Sequence, residues 1–224
     1  MTLTHETSQS RIQDTLPAMK DTRQKILIAA ARVFSENGFH QAKMDDIAAV
    51  AGVSKGTLYY NFESKSLLFS ATVTEGMDTI IEIIRENLRS ELPFIEHFKK
   101  LIELNVTMYL EYRDLARIVF NEVSSGIDES VLKDIERVRG RFIDFMVEQL
   151  RAGQEDGRIR PCDLRLASVT VTGMIDSLAN LVVRYPDTVT TDEIVEFLFS
   201  FLARGLLSRS EAEKAAGLLS PSGA

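Results

Sequence analysis

At 224 residues, with 45% hydrophobic and 26% charged residues and only 12 Gly and 5 Pro, the chain has the balance of a folded, largely helical protein of one large or two modest domains; disorder is excluded except at the ends. Its one cysteine, Cys162, beside Pro161 at a helix start, rules out an internal disulfide and a cysteine-based metal site. No basic segment followed by an apolar one opens the chain, and no apolar run approaches the ~18 residues of a membrane span, so a cytoplasmic location without membrane contact is expected.

Residues 1–20 are polar and without sustained periodicity, which reads as a flexible arm. A first helix begins near Thr22, buries Ile26, Ala29, Ala30, Val33 and Phe34, and ends at Gly38. Met44, Ile47, Ala48 and Ala51 then recur at helical spacing, Gly52 suits the left-handed residue after a helix end, and Val53 plugs the turn. Ser54 caps the next short helix, which turns Leu58 and Phe62 inward. Its outer surface carries Lys55, Thr57, Tyr59, Tyr60 and Asn61, and Gly56 lets another backbone come close. Two short helices around a tight turn make a helix-turn-helix, whose second helix enters the DNA major groove.

From Thr22 to Leu68 the order of residues resembles the tetracycline-repressor (TetR) family of bacterial transcription regulators. The resemblance rests on Gly38-Phe39, Asp46-Ile47-Ala48, the run Ala51-Gly52-Val53-Ser54-Lys55-Gly56-Thr57-Leu58-Tyr59-Tyr60, then Phe62, Lys65 and Leu67. The expected DNA contacts are Lys43, Ser54, Lys55, Gly56, Thr57, Tyr59, Tyr60, Asn61 and Lys65, the last at a position where the resemblance implies a phosphate contact. Two positions depart from the family pattern. Asn61 stands where His is common, and Ala42-Lys43 replaces the usual Ser or Thr cap, leaving Lys43 as an alternative phosphate contact. The net charge of −7 opposes nucleic-acid binding only on average: residues 1–70 carry 8 Lys+Arg against 7 Asp+Glu, and the acidity lies in the rest. Binding by such a head depends strongly on salt.

Ser64 caps a long helix to about Ser90, the natural lever between head and body, with Lys65 at its head end. After Pro93 a helix follows to Tyr112, with Asn105 as the one amide on an apolar stripe, either a ligand anchor or a buried amide satisfied by a backbone carbonyl. A short helix spans Asp114 to about Ser124. The next runs from about Asp128 to Ala152, where Lys133, Arg137 and Arg141 form either an anion-binding stripe or, with their acidic neighbours, a solvated face. Two closing helices, about 163–185 and 191–208, are apolar on two faces. Their surplus, with Leu166, Val169, Gly173, Ser177, Leu181, Ile194, Phe197 and Phe201, suits an intersubunit four-helix bundle like the homodimer of the family. Residues after Arg209 read as frayed.

The expected architecture is all-α with about nine helices: an arm (1–20), a three-helix helix-turn-helix domain (21–67), a helical ligand-binding and dimerisation domain (68–208) and a tail (209–224). The expected function is that of a homodimeric transcription regulator on double-stranded operator DNA, a repressor released by a small hydrophobic or aromatic effector. Phe98, Asn105, Tyr109, Tyr112, Phe120, Phe142, Met146, Met174 and Asn180 are its candidate pocket. No cofactor or metal is expected. An architectural or adaptor protein without an effector is the alternative. A helical-bundle enzyme has little support, because His5, His40 and His97 are isolated and no G-x-S-x-G, H-E-x-x-H or G-x-G-x-x-G occurs.

Overall fold

The computed structural model describes residues 22–88, 91–121, 129–185 and 187–219. Among them are ten α-helices and a short π-helical segment, and the sole β-bridge pairs Ile159 with Leu207. The expected arm falls outside the described residues, as do 122–128, where the sixth helix was expected to end.

Three helices build the head: α1 (Thr22–Gln41), α2 (Met44–Ala51) and α3 (Lys55–Asn61). The regular helix breaks at Gly38, as its sequence position predicts: φ 70° and ψ 163° are not helical, and one further turn to Gln41 places Phe39 in the core. The Phe39 ring meets Phe69 edge-on at 5.2 Å, and Phe69 meets Phe34 likewise at 4.9 Å. Ile26, Ile47 and Leu58 complete a centre without solvent exposure.

Helix α4 (Lys65–Asn87) belongs to both halves. Leu68, Phe69 and Val73 are buried toward the head, and Met77, Ile80, Ile81 and Ile84 toward the body. The body continues with α5 (Phe94–Glu111), α6 (Arg113–Ala116), the π-turn Arg117–Asn121, α7 (Glu129–Glu155), α8 (Leu164–Arg184), α9 (Thr191–Leu206) and α10 (Arg209–Leu219). Helix α7 packs on α4 and α8, while α5 packs on α8 and α9. A capping box starts α9: Glu193 N–H donates to Thr190 Oγ1, and the Glu193 carboxylate accepts from Thr190 N–H at 2.8 Å. The Thr190 N–H first, and then the Thr190 hydroxyl, both donating to the Glu193 carboxylate, hold its pKa below the ordinary range.

Two features differ from the sequence reading, and a third decides between alternatives it left open in favour of the solvated face. Residues 209–219 form α10 rather than a frayed tail, because Ala215 and the stem of Glu211 bury against the body and Lys214 pairs with Glu211. Helix α8 is long and apolar enough by composition to cross a membrane; its Leu, Val, Ile, Ala and Met carry that average, while Thr, Ser, Gly and Asp interrupt the apolar run. Lys133, Arg137 and Arg141 pair with Glu129, Asp134 and Asp78, which makes them part of a salt-bridged surface.

Head and body meet tightly. Arg23 bridges to Glu75 and lies 4.5 Å over the Phe62 ring, and Ser35 Oγ donates to Asp114 at 2.9 Å. At Gly76 a Cβ would lie 2.6 Å from Leu115 Cδ2, and Leu115 is itself buried, so α4 and α6 approach as closely as glycine permits. Gly76→Val is therefore expected to destabilise the chain by about 1–3 kcal/mol, as an overpacked core does, read as a lower urea midpoint.

Candidate DNA-binding surface and ligand cavity

The turn between α2 and α3 is fixed by backbone chemistry. Gly52 is left-handed (φ 66°), Gly52 N–H donates to Ala49 O and Val53 N–H to Ala48 O, closing α2. Ser54 Oγ accepts from Thr57 N–H at 3.0 Å and starts α3. Lys43 makes no capping bond and stays exposed.

With Leu58 and Phe62 buried, the opposite face of α3 is open. Tyr60 is 91% exposed, an unusual position for a large ring, and Tyr59 42%. A Cβ at Gly56 would touch only Ser54 Oγ, at 3.8 Å, so nothing inside the protein fills the space in front of it. Lys55 pairs with Asp45 of α2 at 2.8 Å, and that bond raises its pKa; a phosphate contact would draw the ammonium away from Asp45. Asn61 donates to Thr57 O at 2.8 Å, which orients its amide along α3.

Lys65 is placed differently. Its Nζ donates to His40 O at 3.0 Å and Ala42 O at 3.1 Å and lies 4.8 Å from the Phe39 ring centre. The charge closes the end of α1 and pins the start of α4 against it.

In the body, α4, α5, α6, α7 and α8 enclose an apolar cavity of about 420 Å³, its open mouth included, lined by Met77, Ile80, Ile84, Asn105, Met108, Tyr109, Ala116, Phe142, Thr172 and Ile175. A second, of about 270 Å³ with its open solvent counted in, is lined by Phe98, Leu101, Ile102, Met146, Leu150, Val171 and Leu202 and shares Asn105 and Ile175 with the first. Of the nine candidate residues, Phe98, Asn105, Tyr109, Phe142 and Met146 line these spaces. Tyr112 sits half-buried at the end of α5, its phenol pushed up by burial and then by Glu111. Met174 lies off the cavity wall, one step round α8 from Ile175, and Asn180 is exposed, donating to Tyr109 Oη at 3.1 Å. The side chain of Phe120 lies outside the described residues. Met77, Ile80, Ile84 and Ile175 were legible only as core stripes: which stripe faces a cavity depends on how five helices pack.

The expected dimer face is largely solvent-exposed in the protomer. Leu166 is 67% exposed, Phe197 58% and Phe201 52%, with Val169, Gly173, Ser177 and Leu181 also exposed. Ile194 is not part of it: at 2% exposure it packs into the protomer's own core, because it projects from the inner side of α9 with Leu198.

The sequence model described as bacterial regulatory proteins of the tetR family matches residues 26–72, and that of the tetracyclin repressor-like C-terminal domain matches residues 91–180. The fatty acid metabolism regulator protein of Bacillus subtilis (strain 168) is 28% identical over 190 residues, covering 81% of this chain and 97% of its own. The HTH-type transcriptional regulator UidR of Escherichia coli (strain K12) is 29% identical over 141 residues, 62% of this chain and 70% of its own. Among solved structures, the transcriptional regulator FadR from Bacillus subtilis in complex with stearoyl-CoA aligns with a TM-score of 0.64 and 25% identity over 79% of this chain and 97% of its own.

The two lysines are expected to separate experimentally. Lys55→Ala should leave stability unchanged and lower the salt slope of DNA binding by about one unit. Lys65→Ala should lower unfolding stability by ~1–2 kcal/mol through loss of its bonds to two carbonyls; a lowered salt slope without loss of stability would return Lys65 to the DNA surface.

Proposed function

Because the chain belongs to the TetR family of bacterial transcription regulators, we propose that it is a homodimeric repressor whose hold on operator DNA is released by a small hydrophobic ligand in the body, an acyl thioester of coenzyme A being the favoured class. The carrying observation is that one helix, α4, joins the head to the cavity wall. Its first turn holds the end of α1 through Lys65, and its Met77, Ile80 and Ile84 line the cavity.

The mechanism follows from that geometry. Two protomers present two α3 helices to successive major grooves, which needs centres ~34–36 Å apart. A ligand that enlarges the cavity pushes α4 and α6 apart from α5 and α8. The displacement reaches the head through Lys65, through Arg23–Glu75 and through Ser35–Asp114, since Ala116, two residues from Asp114, is also in the cavity wall. The ligand binds the displaced state more tightly, because a ligand of equal affinity for both states shifts nothing.

Dimerisation through α8 and α9 accounts for the exposed apolar face and for the composition of α8: its surplus apolar surface meets a second protomer, and the protein works in the cytoplasm where its DNA lies. The favoured ligand class draws on the relative solved with stearoyl-CoA and on an apolar cavity without a cationic residue among its described lining. A purely architectural role would leave that cavity without use. The relatives are transcription regulators, and the chain is read as a regulator rather than an enzyme.

Gel shifts with the intergenic DNA beside its own gene, across a salt series, are expected to show sequence-specific binding that dodecanoyl-CoA weakens at least tenfold. Binding without sequence preference, or indifferent to the thioester and to aromatic effectors, would favour the architectural role. Phe197→Glu or Gly173→Glu is expected to give monomers in sedimentation; persistent dimers would move the interface elsewhere.

A further inference from the structure

The chemistry of the cavity's polar wall says more about the ligand than its volume does. Asn105 is 97% buried and is shared by the linings of both cavities, so the residue stands at their junction. Its Nδ2 donates to Leu101 O at 2.7 Å, which fixes the orientation of the amide: exchanging nitrogen and oxygen would set two oxygens against each other. The Oδ1 atom, fully enclosed, is left without a partner among the described residues. The other polar lining groups give their protons away from the cavity. The Tyr109 hydroxyl donates to Asp176, and the Thr172 hydroxyl to Ser168 O at 2.9 Å.

The wall is therefore apolar with hydrogen-bond acceptors at its centre. A carboxylate or phosphate deep in it meets oxygen lone pairs and no Lys, Arg or His among the described lining residues. A plain alkyl chain leaves Asn105 Oδ1 enclosed and unpaired. A chain that carries one compact neutral donor satisfies it.

We propose that the cavity selects an acyl ligand with a hydroxyl group along its chain, read by Asn105 Oδ1 at the junction of the two cavities. This rests on the acyl-thioester reading of the cavity given above. Asn105 is then the specificity-determining residue, and Tyr109, locked by Asp176 and Asn180, is wall rather than reader.

The test uses the full chain and titration calorimetry with dodecanoyl-CoA and its forms hydroxylated at carbon 3, 7 or 11. One hydroxylated form is expected to bind about tenfold tighter than the parent, the size of one buried hydrogen bond. Asn105→Leu, of similar volume, should abolish that preference and bind the parent at least as well. The O-methyl ether of the preferred form, which keeps the oxygen but removes the donor, should lose the preference on the unaltered chain, so the result does not depend on the variant folding. Equal affinity for all four thioesters on the unaltered chain overturns hydroxyl selection and leaves the acyl reading intact. An Asn105→Leu chain that keeps the preference, or loses all four equally, makes Asn105 a packing residue and overturns its role. Binding of none of the four removes the acyl reading and this inference together.

Discussion

The structure depends on the continuity of α4. Twenty-three residues of unbroken helix, about 35 Å long at ~1.5 Å per residue, take part in two cores, and a helix that long transmits a displacement of one end to the other instead of absorbing it. Both ends are tied. At the head, Lys65 closes the last carbonyls of α1 while Phe69 locks against Phe34 and Phe39. In the body, Gly76 brings α6 against the same helix. The buried cluster consequently runs without interruption from Ile26 to Ala215, and the head is not a separate bead on a linker.

That coupling makes the distribution of polar groups significant. Exposed ion pairs over α7 and between α2 and α3 contribute little to stability individually and keep the surface solvated. Around the cavity, Tyr109 bonds Asp176 and the exposed Asn180, Thr172 bonds within its helix, and Asn105 Oδ1 is enclosed without a partner among the described residues, as is Ser168 Oγ. An enclosed acceptor of this kind costs roughly 1–3 kcal/mol when unpaired, so a ligand that satisfies it gains more than one that merely fills space. The head shows the opposite arrangement, with Tyr60 and the α3 backbone at Gly56 open to solvent where a groove would receive them.

Much of this was legible along the chain because it is set locally. Gly52, the Ser54 and Ser64 caps and the inward Leu58 and Phe62 act over four residues or fewer, and the structure places them as their spacing predicts. The stripes of α4, α5 and α7 were equally plain. Gly38 breaks its helix as read, and only the extra turn to Gln41, which buries Phe39, was not legible locally. Likewise α10 has too little apolar surface to be recognised alone and forms because Ala215 has a wall to meet.

By itself the sequence determined an all-helical chain, a helix-turn-helix head on an acidic body, and a surplus of apolar surface on its last long helices, since composition, capping and 3.6-residue periodicity are properties of neighbouring residues. Only the tertiary structure decided which stripes enclose a cavity, that Ile194 turns inward while Phe197 and Phe201 stay outside, that Lys65 reaches carbonyls 23 and 25 residues away, and that Asn105 keeps an oxygen without a partner. Those outcomes depend on the rotation of each helix about its axis and on what packs against it, and a helix's own residues leave both open.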